Sequence, residues 1–307
     1  MVEYVEMAKV TAVINTLNEE ANLPRVINSV KDFVDEIVVV DMKSDDNTQK
    51  IARELGAKVY EHERTNYVEP ARNFAISKAT SEWVLLLDAD ERVPHTLVRK
   101  LKKLVKQPQA NYYRIPRKNI IFKKWIKHSR WWPDYNIRFF KKGTVTWNEV
   151  IHSIPMTTGN GIDLKPLEKN AIIHYHYKTL DEYIEKLNRY TSQHAKLKVK
   201  AGYKFEWQDV ILRPSAEFLS RYFAGKGYKD GLHGLALSCL QAFSELVLYL
   251  KVWQLEDFEK QNPSLSEVVK TISRSQSETN YWKADMLLNE SKQGDLFLKI
   301  KRKFKLG

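Results

Sequence analysis

The sequence predicts an α/β protein, a mainly parallel sheet flanked by helices and followed by a helical extension. Three observations lead there. Four short β-branched runs (KVTAVIN from Lys9, EIVVVD from Glu36, AKVYEH from Ala57 and WVLLLDAD from Trp83) alternate with stretches of helical spacing. The loops after these runs carry acids instead of glycines. Beyond Thr179 the apolar residues return to a helical period.

Taken in order, Leu23, Val26, Ile27, Val30 and Phe33 share one helix face after the first run. Ile51 and Leu55 do so before a stopping Gly56, and Leu97, Val98, Leu101, Leu104 and Val105 do so after Pro94. The result is a βαβαβαβ unit. From Asn111 to about Tyr177 the helical period fades, and YYRIPR, YNIRFF and AIIHYHY read as strands between loops rich in Trp, Pro and Gly. Leu180, Tyr183, Ile184, Leu187 and Tyr190 then form a helical stripe, Pro214 predicts a break, and a further apolar helix runs over residues 232–253. That helix has the length to cross a bilayer, but His233, Gln241, Glu245 and Lys251 interrupt it, so a span is rejected. It is expected to pack within the protein or against a subunit, or to lie on a membrane surface. After Glu256 the chain turns polar and predicts a short helical or loosely ordered tail.

A 43% hydrophobic content over 307 residues supports a full core. The single cysteine, Cys239, excludes a disulfide framework and a thiolate metal cluster, and fits a reducing cytoplasm. The N-terminal stretch carries two glutamates where a signal peptide has basic residues, and reads as uncleaved and not exported. The net charge of +12 is concentrated: residues 97–142 hold fifteen Lys and Arg against one acid, Asp134. Such a zone, with the aromatic interleaving of KKWIKHSRWW, attracts phosphates on nucleic acid, anionic lipid or a phosphorylated glycan; a solvated lysine face is the plainer reading.

In open parallel sheets, ligands gather beyond the carboxyl ends of the strands. Three clusters lie there: Asn15 to Glu20, Asp41 with the following MKSDDNT, and Asp88, Ala89, Asp90 and Glu91. Without GxGxxG or GKS patterns, a Rossmann dinucleotide site and a P-loop are disfavoured. Carboxylates held close together are costly unless a cation or protons neutralise them, and Mg2+ or Mn2+ suits oxygen ligands. Asp88 and Asp90 alternate on an extended chain and can face one ligand.

VINTLNEE, EIVVVDMKSDDNT, ARNFA and WVLLLDADE, in this order, resemble the family 2 glycosyltransferases with the GT-A fold. YYRIPRKNIIFKKWIKHSRWWPDYNIRFFKKG, IIHYHYKTLDEYIEKLNRY and RYFAGKGYKDG further resemble the branch containing lipopolysaccharide-core β-glucosyltransferases. The likeness spans about residues 9–253. It implies a catalytic domain over residues 1–178, with a donor half at about 9–106 and an acceptor half at about 107–178. A helical extension over 179–256 and a polar tail follow. It also implies nucleotide-sugar contacts from Thr16, Leu17, Asn18 and Glu19, base reading by Asp41, suggesting uridine, a diphosphate-facing Arg72, and Asp88 near the ribose. Asp90 would coordinate the metal, with Asp88 and His174 as further ligands. Lys43 stands where the family has a small residue, and Ile151, His152 and Ser153 where it usually reads VHE.

Inverting transfer requires an acceptor-side carboxylate as base, and Asp134 is the expected residue, with Glu149 in reserve. The alternative is that Asp134 only pairs with Arg130 or Arg138. Trp131 and Trp132 suit the apolar faces of a sugar, and Arg138 and His152 complete the expected acceptor side. The expected enzyme is a metal-dependent hexosyltransferase that uses a UDP-sugar and a saccharide or lipid-linked saccharide of the cell envelope. It is expected in the cytoplasm, at the inner face of the membrane, with an anionic membrane surface as a further partner and no nucleic acid. A non-enzymatic nucleic-acid- or anionic-surface-binding protein is the competing class, opposed by the acidic rim, which would repel a phosphate backbone.

Overall fold

The computed structural model describes residues 8–65, 68–148, 155–290 and 295–307. The chain divides into two units: one holds the residues up to Ile121 and Trp132–His176, the other Phe122–Trp131 and Tyr177–Gly307.

The first unit begins with the expected alternation: β1 (Val10–Thr16), α1 (Leu23–Val30), β2 (Glu36–Asp41), α2 (Thr48–Glu54), β3 (Lys58–Glu61), α3 (Glu69–Lys78) and β4 (Trp83–Asp88). The strands β3, β2, β1 and β4 are neighbours in that order, all parallel, with Asn15 level with Asp88 and Thr16 level with Asp41. Every residue of β1 is buried, as is Trp83–Leu87 of β4, because helices cover both faces. Alternate residues serve the two sides: Ala12, Ile14, Leu85 and Leu87 join α1 in one core, and Val13, Val84 and Leu86 meet Ala75 and Ile76 of α3 in the other. Each Val, Leu or Ile side chain among them contributes about 1.5–3 kcal/mol on removal from water.

The rest of the unit is mixed. After β5 (Glu91–Arg92) and α4 (His95–Lys106) comes β6 (Tyr112–Ile121), and the sheet continues from β4 through β8 (Asp134–Lys141) and β6 to β12 (Ile172–Tyr177) and β5. The two-residue strand β7 (Lys124–Trp125) falls in the second unit's segment. Strands β9 (Val145–Thr146) and β10 (Met156–Thr157) form a small ribbon, and β11 (Gly161–Asp163) runs parallel to β6. Strand β8 is antiparallel to both β4 and β6, and Trp83 stacks on its Phe139 with ring centroids 4.7 Å apart.

In the second unit, Thr179 caps α5 (Leu180–Lys200) by accepting from Glu182 N. Pro214 lies inside α6 (Asp209–Leu219) without ending it, so the break expected there falls instead between α5 and α6. Helix α7 (Leu232–Leu255) is long and apolar enough to cross a membrane, and three of its polar residues are engaged within the unit. His233 contacts Phe122 O, Gln241 donates to Tyr183 Oη at 2.6 Å, and Lys251 donates to Asn188 O at 2.6 Å. Gly234 of α7 permits the close approach of Gly227, whose carbonyl oxygen would lie 1.8 Å from an added Cβ. The segment Phe122–Trp131 is anchored here by Asp230, which accepts from Lys127 N and His128 N at 3.1 and 2.8 Å. Domain bounds therefore differ from the sequence expectation, since this segment of the basic zone belongs with the helices. The tail, expected to be short helical or loosely ordered, forms the 26-residue α8 (Leu265–Glu290) and the short α9 (Leu296–Phe304).

Candidate active site

At the carboxyl edge of the parallel strands, the loops after β1 and β2 are tied to each other. Asn18 N donates to Ser44 Oγ at 2.8 Å, and Asp45 N donates to Asn18 Oδ1 at 2.8 Å. Glu19 N donates to Thr48 Oγ1, and Asn47 N to Glu20 Oε2. Asn18 adopts a left-handed conformation (φ 56°), which asparagine tolerates well. Thr16 is buried at the strand end and Leu17 is half-buried beside it. Lys43, also left-handed, turns outward to pair with Glu63.

Asp41 is fully buried, with four bonds to its carboxylate. Thr16 Oγ1 and Ser44 Oγ donate to Oδ1, while Ser44 N and Gln49 Nε2 donate to Oδ2. The loop is thus wrapped around this carboxylate. A base edge could reach it only by displacing Ser44 or Gln49, an arrangement that the sequence did not disclose.

Asp88 and Asp90 diverge. Asp88, at the end of β4, lies among guanidinium groups: Arg72 NH2 is 3.1 Å away, Arg138 NH2 is in direct contact, and Arg117 NH1 is at 3.8 Å. Burial pushes this carboxyl up, but the three arginines, Arg138 foremost, outweigh it and hold Asp88 far below the usual carboxylate range. Glu91 lies beneath, wholly buried, accepting from Asp88 N at 2.9 Å and from Arg138 at 2.7 Å. Its own burial, together with the charge on Asp88, pushes it up. Asp88, expected to grip one ion together with Asp90, is here paired with arginines, while Asp90 turns elsewhere. Arg138, expected on the acceptor side, is 1% exposed and holds Asp88 and Glu91 from below.

Asp90 instead meets His174, with Oδ2 3.4 Å from Nε2. The other ring nitrogen, Nδ1, is 2.7 Å from Asn119 Oδ1, while Asn119 Nδ2 donates to Asp134 Oδ2 at 3.1 Å. A carboxylate only accepts, so it fixes the amide, and the amide oxygen fixes the His174 proton on Nδ1. Nε2 faces Asp90, and His176 Nδ1 lies within hydrogen-bond distance of it at 3.2 Å. Among the described residues no three His, Cys, Asp or Glu side chains gather into a metal set. Asp90 and His174 supply two donors.

Asp134 opens β8 opposite Arg117 in the strand register, and Arg117 pairs with it through Nε at 2.9 Å and NH2 at 2.7 Å. Burial raises its carboxyl; Arg117 and the Asn119 amide outweigh this and hold Asp134 below its ordinary value. The partner is neither Arg130, which pairs with Glu217 in the second unit, nor Arg138. Arg72 stands on α3 over the Trp147 ring at 5.7 Å, and its buried Nε has no partner among the described residues.

Trp132 belongs to the first unit and Trp131 to the second, where Arg221 lies over its ring at 5.7 Å. His152 and Glu149 lie outside the described residues. The basic zone is also less free than its sequence implies. Arg114, Arg117, Lys118, Arg130, Arg138 and Lys141 each pair with a carboxylate.

The residues missed from sequence are Arg117, Asn119, His176 and Gln49, while Glu91 and Ser44 stood in the rim clusters without an assigned role. A signal existed for the strand residues. Arg117 with Asn119, Asp134 with Asn136 and Arg138, and His174 with His176 are each spaced by two, which puts each set on one side of its strand.

A mixed sheet flanked by helices with an acidic rim beyond its parallel strands is the GT-A arrangement, and the enzyme is a glycosyltransferase. The chain belongs to glycosyl transferase family 2, whose family model matches residues 11–164. It is 31% identical over 261 residues to an uncharacterized glycosyltransferase of Rickettsia typhi, covering 81% of this chain and 88% of that one. It is 25% identical over 251 residues to the lipopolysaccharide core biosynthesis glycosyltransferase LpsC of Rhizobium meliloti, covering 80% of this chain and 92% of that one. Among solved structures, S. aureus TarS 1-349 in complex with UDP aligns with a TM-score of 0.42 at 14% identity, covering 84% of this chain and 95% of TarS 1-349. Family membership displaces the non-enzymatic reading of the basic zone.

Proposed function

We propose that this glycosyltransferase moves a hexose, with inversion, from a UDP-sugar to a hydroxyl of a saccharide in a cell-envelope glycan. The acceptor is lipopolysaccharide core or another lipid-linked glycan, and the enzyme works in the cytoplasm at the inner face of the membrane. The observation that carries the donor half is His174 Nε2, set 3.4 Å from the Asp90 carboxylate by the Asn119 and Asp134 relay.

Two acceptors at that separation repel unless a proton or a cation joins them. Mg2+ or Mn2+ fits: such ions take one or two protein ligands and complete their shell with substrate phosphate and water. Asp90 and His174 would hold such an ion, which would supply charge neutralisation for the departing diphosphate. Asn119 holds the His174 ring through Nδ1 and would serve as an outer partner of that ion. Arg72, with an unpartnered buried Nε–H, is suited to a phosphate oxygen. The NTLNEE and MKSDDNT loops, with Asp41 at their base, form the nucleotide pocket.

Asp134 takes the proton of the attacking hydroxyl. Its lowered basicity keeps it ionised at neutral pH, so it accepts the proton only as the sugar–phosphate bond breaks. The likeness to LpsC supports the envelope-glycan acceptor. A thermal-shift screen of nucleotide sugars with and without Mn2+ tests the reading: UDP-sugars should stabilise the protein only with the ion, and a response to no nucleotide would refute it.

A further inference from the structure

Of the large apolar side chains that the structure leaves exposed, all but Met156 and Leu167 belong to the second unit. They are most concentrated on α9. Leu296, Phe297, Ile300 and Phe304 are 72%, 61%, 43% and 62% exposed, and at 100° per residue they fall within one arc of about 100°. Lys299 and Lys303 border this arc on one side and Lys301 on the other. Lys301 reaches over the Phe297 ring at 4.7 Å and Lys303 over the Phe304 ring at 5.5 Å.

The opposite side of α9 is already taken. Leu298 is half-buried, Arg302 pairs with Asp285 of α8 at 2.9 Å, and Lys305 pairs with Glu278. Asp295 caps the helix by accepting from Phe297 N at 2.8 Å. The helix is therefore fixed to α8 by its back, and its apolar arc faces outward between lysines.

We propose that α9 is an interfacial helix that seats the chain on an anionic lipid surface, with Leu296, Phe297, Ile300 and Phe304 entering the acyl boundary and Lys299, Lys301 and Lys303 meeting lipid phosphates. Charge selects this occupant. An apolar protein groove has no need of lysines on both flanks, whereas an anionic bilayer offers phosphates on both sides of an inserted apolar stripe. A second copy of the chain would set these lysines against one another. The inference sharpens the membrane-face placement proposed above and is independent of the donor chemistry.

The test is flotation of the full chain with vesicles of phosphatidylcholine alone or with 30% phosphatidylglycerol, at about 0.15 M salt and without nucleotide sugar. Binding to the anionic vesicles should exceed that to neutral ones at least about tenfold, and Lys299→Gln with Lys301→Gln and Lys303→Gln should weaken it about a hundredfold. Ile300→Asp, at an exposed position, should also abolish flotation while thermal unfolding stays unchanged. Equal binding to both vesicle types, or full flotation by Ile300→Asp, overturns the proposal. So does self-association of the parent chain that Ile300→Asp abolishes without vesicle binding. UDP binding measured on the same variants separates this outcome from failure of the transferase reading.

Discussion

His174 Nε2 lies 3.4 Å from Asp90 Oδ2 across the sheet edge formed by β12 and β5. Neither group was brought there by local sequence; the antiparallel pairing of two short strands sets His174 level with Glu91, one residue past Asp90.

If this pair receives the ion, UDP binds much more tightly with Mn2+ or Mg2+ than in chelator. Asp90→Asn and His174→Ala each remove that difference. Titration calorimetry measures it, and equal UDP affinity in chelator contradicts the assignment.

Asn119→Ala leaves both donors in place but frees the His174 ring to change tautomer. Metal affinity should fall about 10–100-fold, with little change in metal-free UDP binding. Unaltered Mn2+ affinity would make Asn119 a bystander.

Asp134→Asn should bind donor normally and transfer about 10²–10⁴-fold more slowly. Because the parent carboxyl is held below its ordinary value, the acid limb of its kcat/KM profile should lie below the usual carboxylate range. Turnover that survives the substitution would move the base elsewhere.

Arg138→Leu leaves the wholly buried Glu91 and the half-buried Asp88 without their shared guanidinium. Loss of one partner from a buried ion pair costs about 3–5 kcal/mol, to be read in urea unfolding. A loss below about 1 kcal/mol would mean that Arg72 and Arg117 suffice.

At the opposite end of the strands, Glu36 accepts from Thr11 Oγ1 at 2.7 Å, Thr80 N and Oγ1 at 2.9 Å, and Lys58 Nζ at 2.8 Å. Burial alone would raise its carboxyl, but these donors, Lys58 first, bring it down to about 2 from 4.5. A depressed carboxyl stabilises the fold above its unfolded value, and that contribution disappears as pH falls from 4.5 toward 2. Lys58 is well exposed, so solvent screens its share. Glu36→Gln should therefore cost on the order of 2 kcal/mol at neutral pH, with the two unfolding curves converging in acid. A gap that persists at low pH would place the effect in packing.

The parallel half of the sheet was legible because β1 and β4 are buried on both faces and so read as unbroken apolar runs. Helix α3 was legible only as a place in the alternation, since it packs through small Ala71 and Ala75 with Ile76 and shows no broad apolar stripe. Helix α8 escaped for a related reason: Leu265, Val269 and Ile272 are spaced as a helix face, yet stand exposed in a polar segment. In the site, Asp90, Asp134 and His174 could be named from their motifs, but strand order could not. It is the adjacency of β8, β6 and β12 that joins Asp134, Asn119 and His174, and adjacency is a long-range property that spacing along the chain does not encode.

The bonds that lace Asn18, Glu19 and Glu20 to Ser44, Asp45, Asn47 and Thr48 make the two loops one mechanical part. Grafting either loop alone from a relative would strand backbone N–H groups in the other. The loops are exchangeable only together, and evolution or design that retunes this end of the sheet has to treat two segments about 25 residues apart in the chain as a single inherited module.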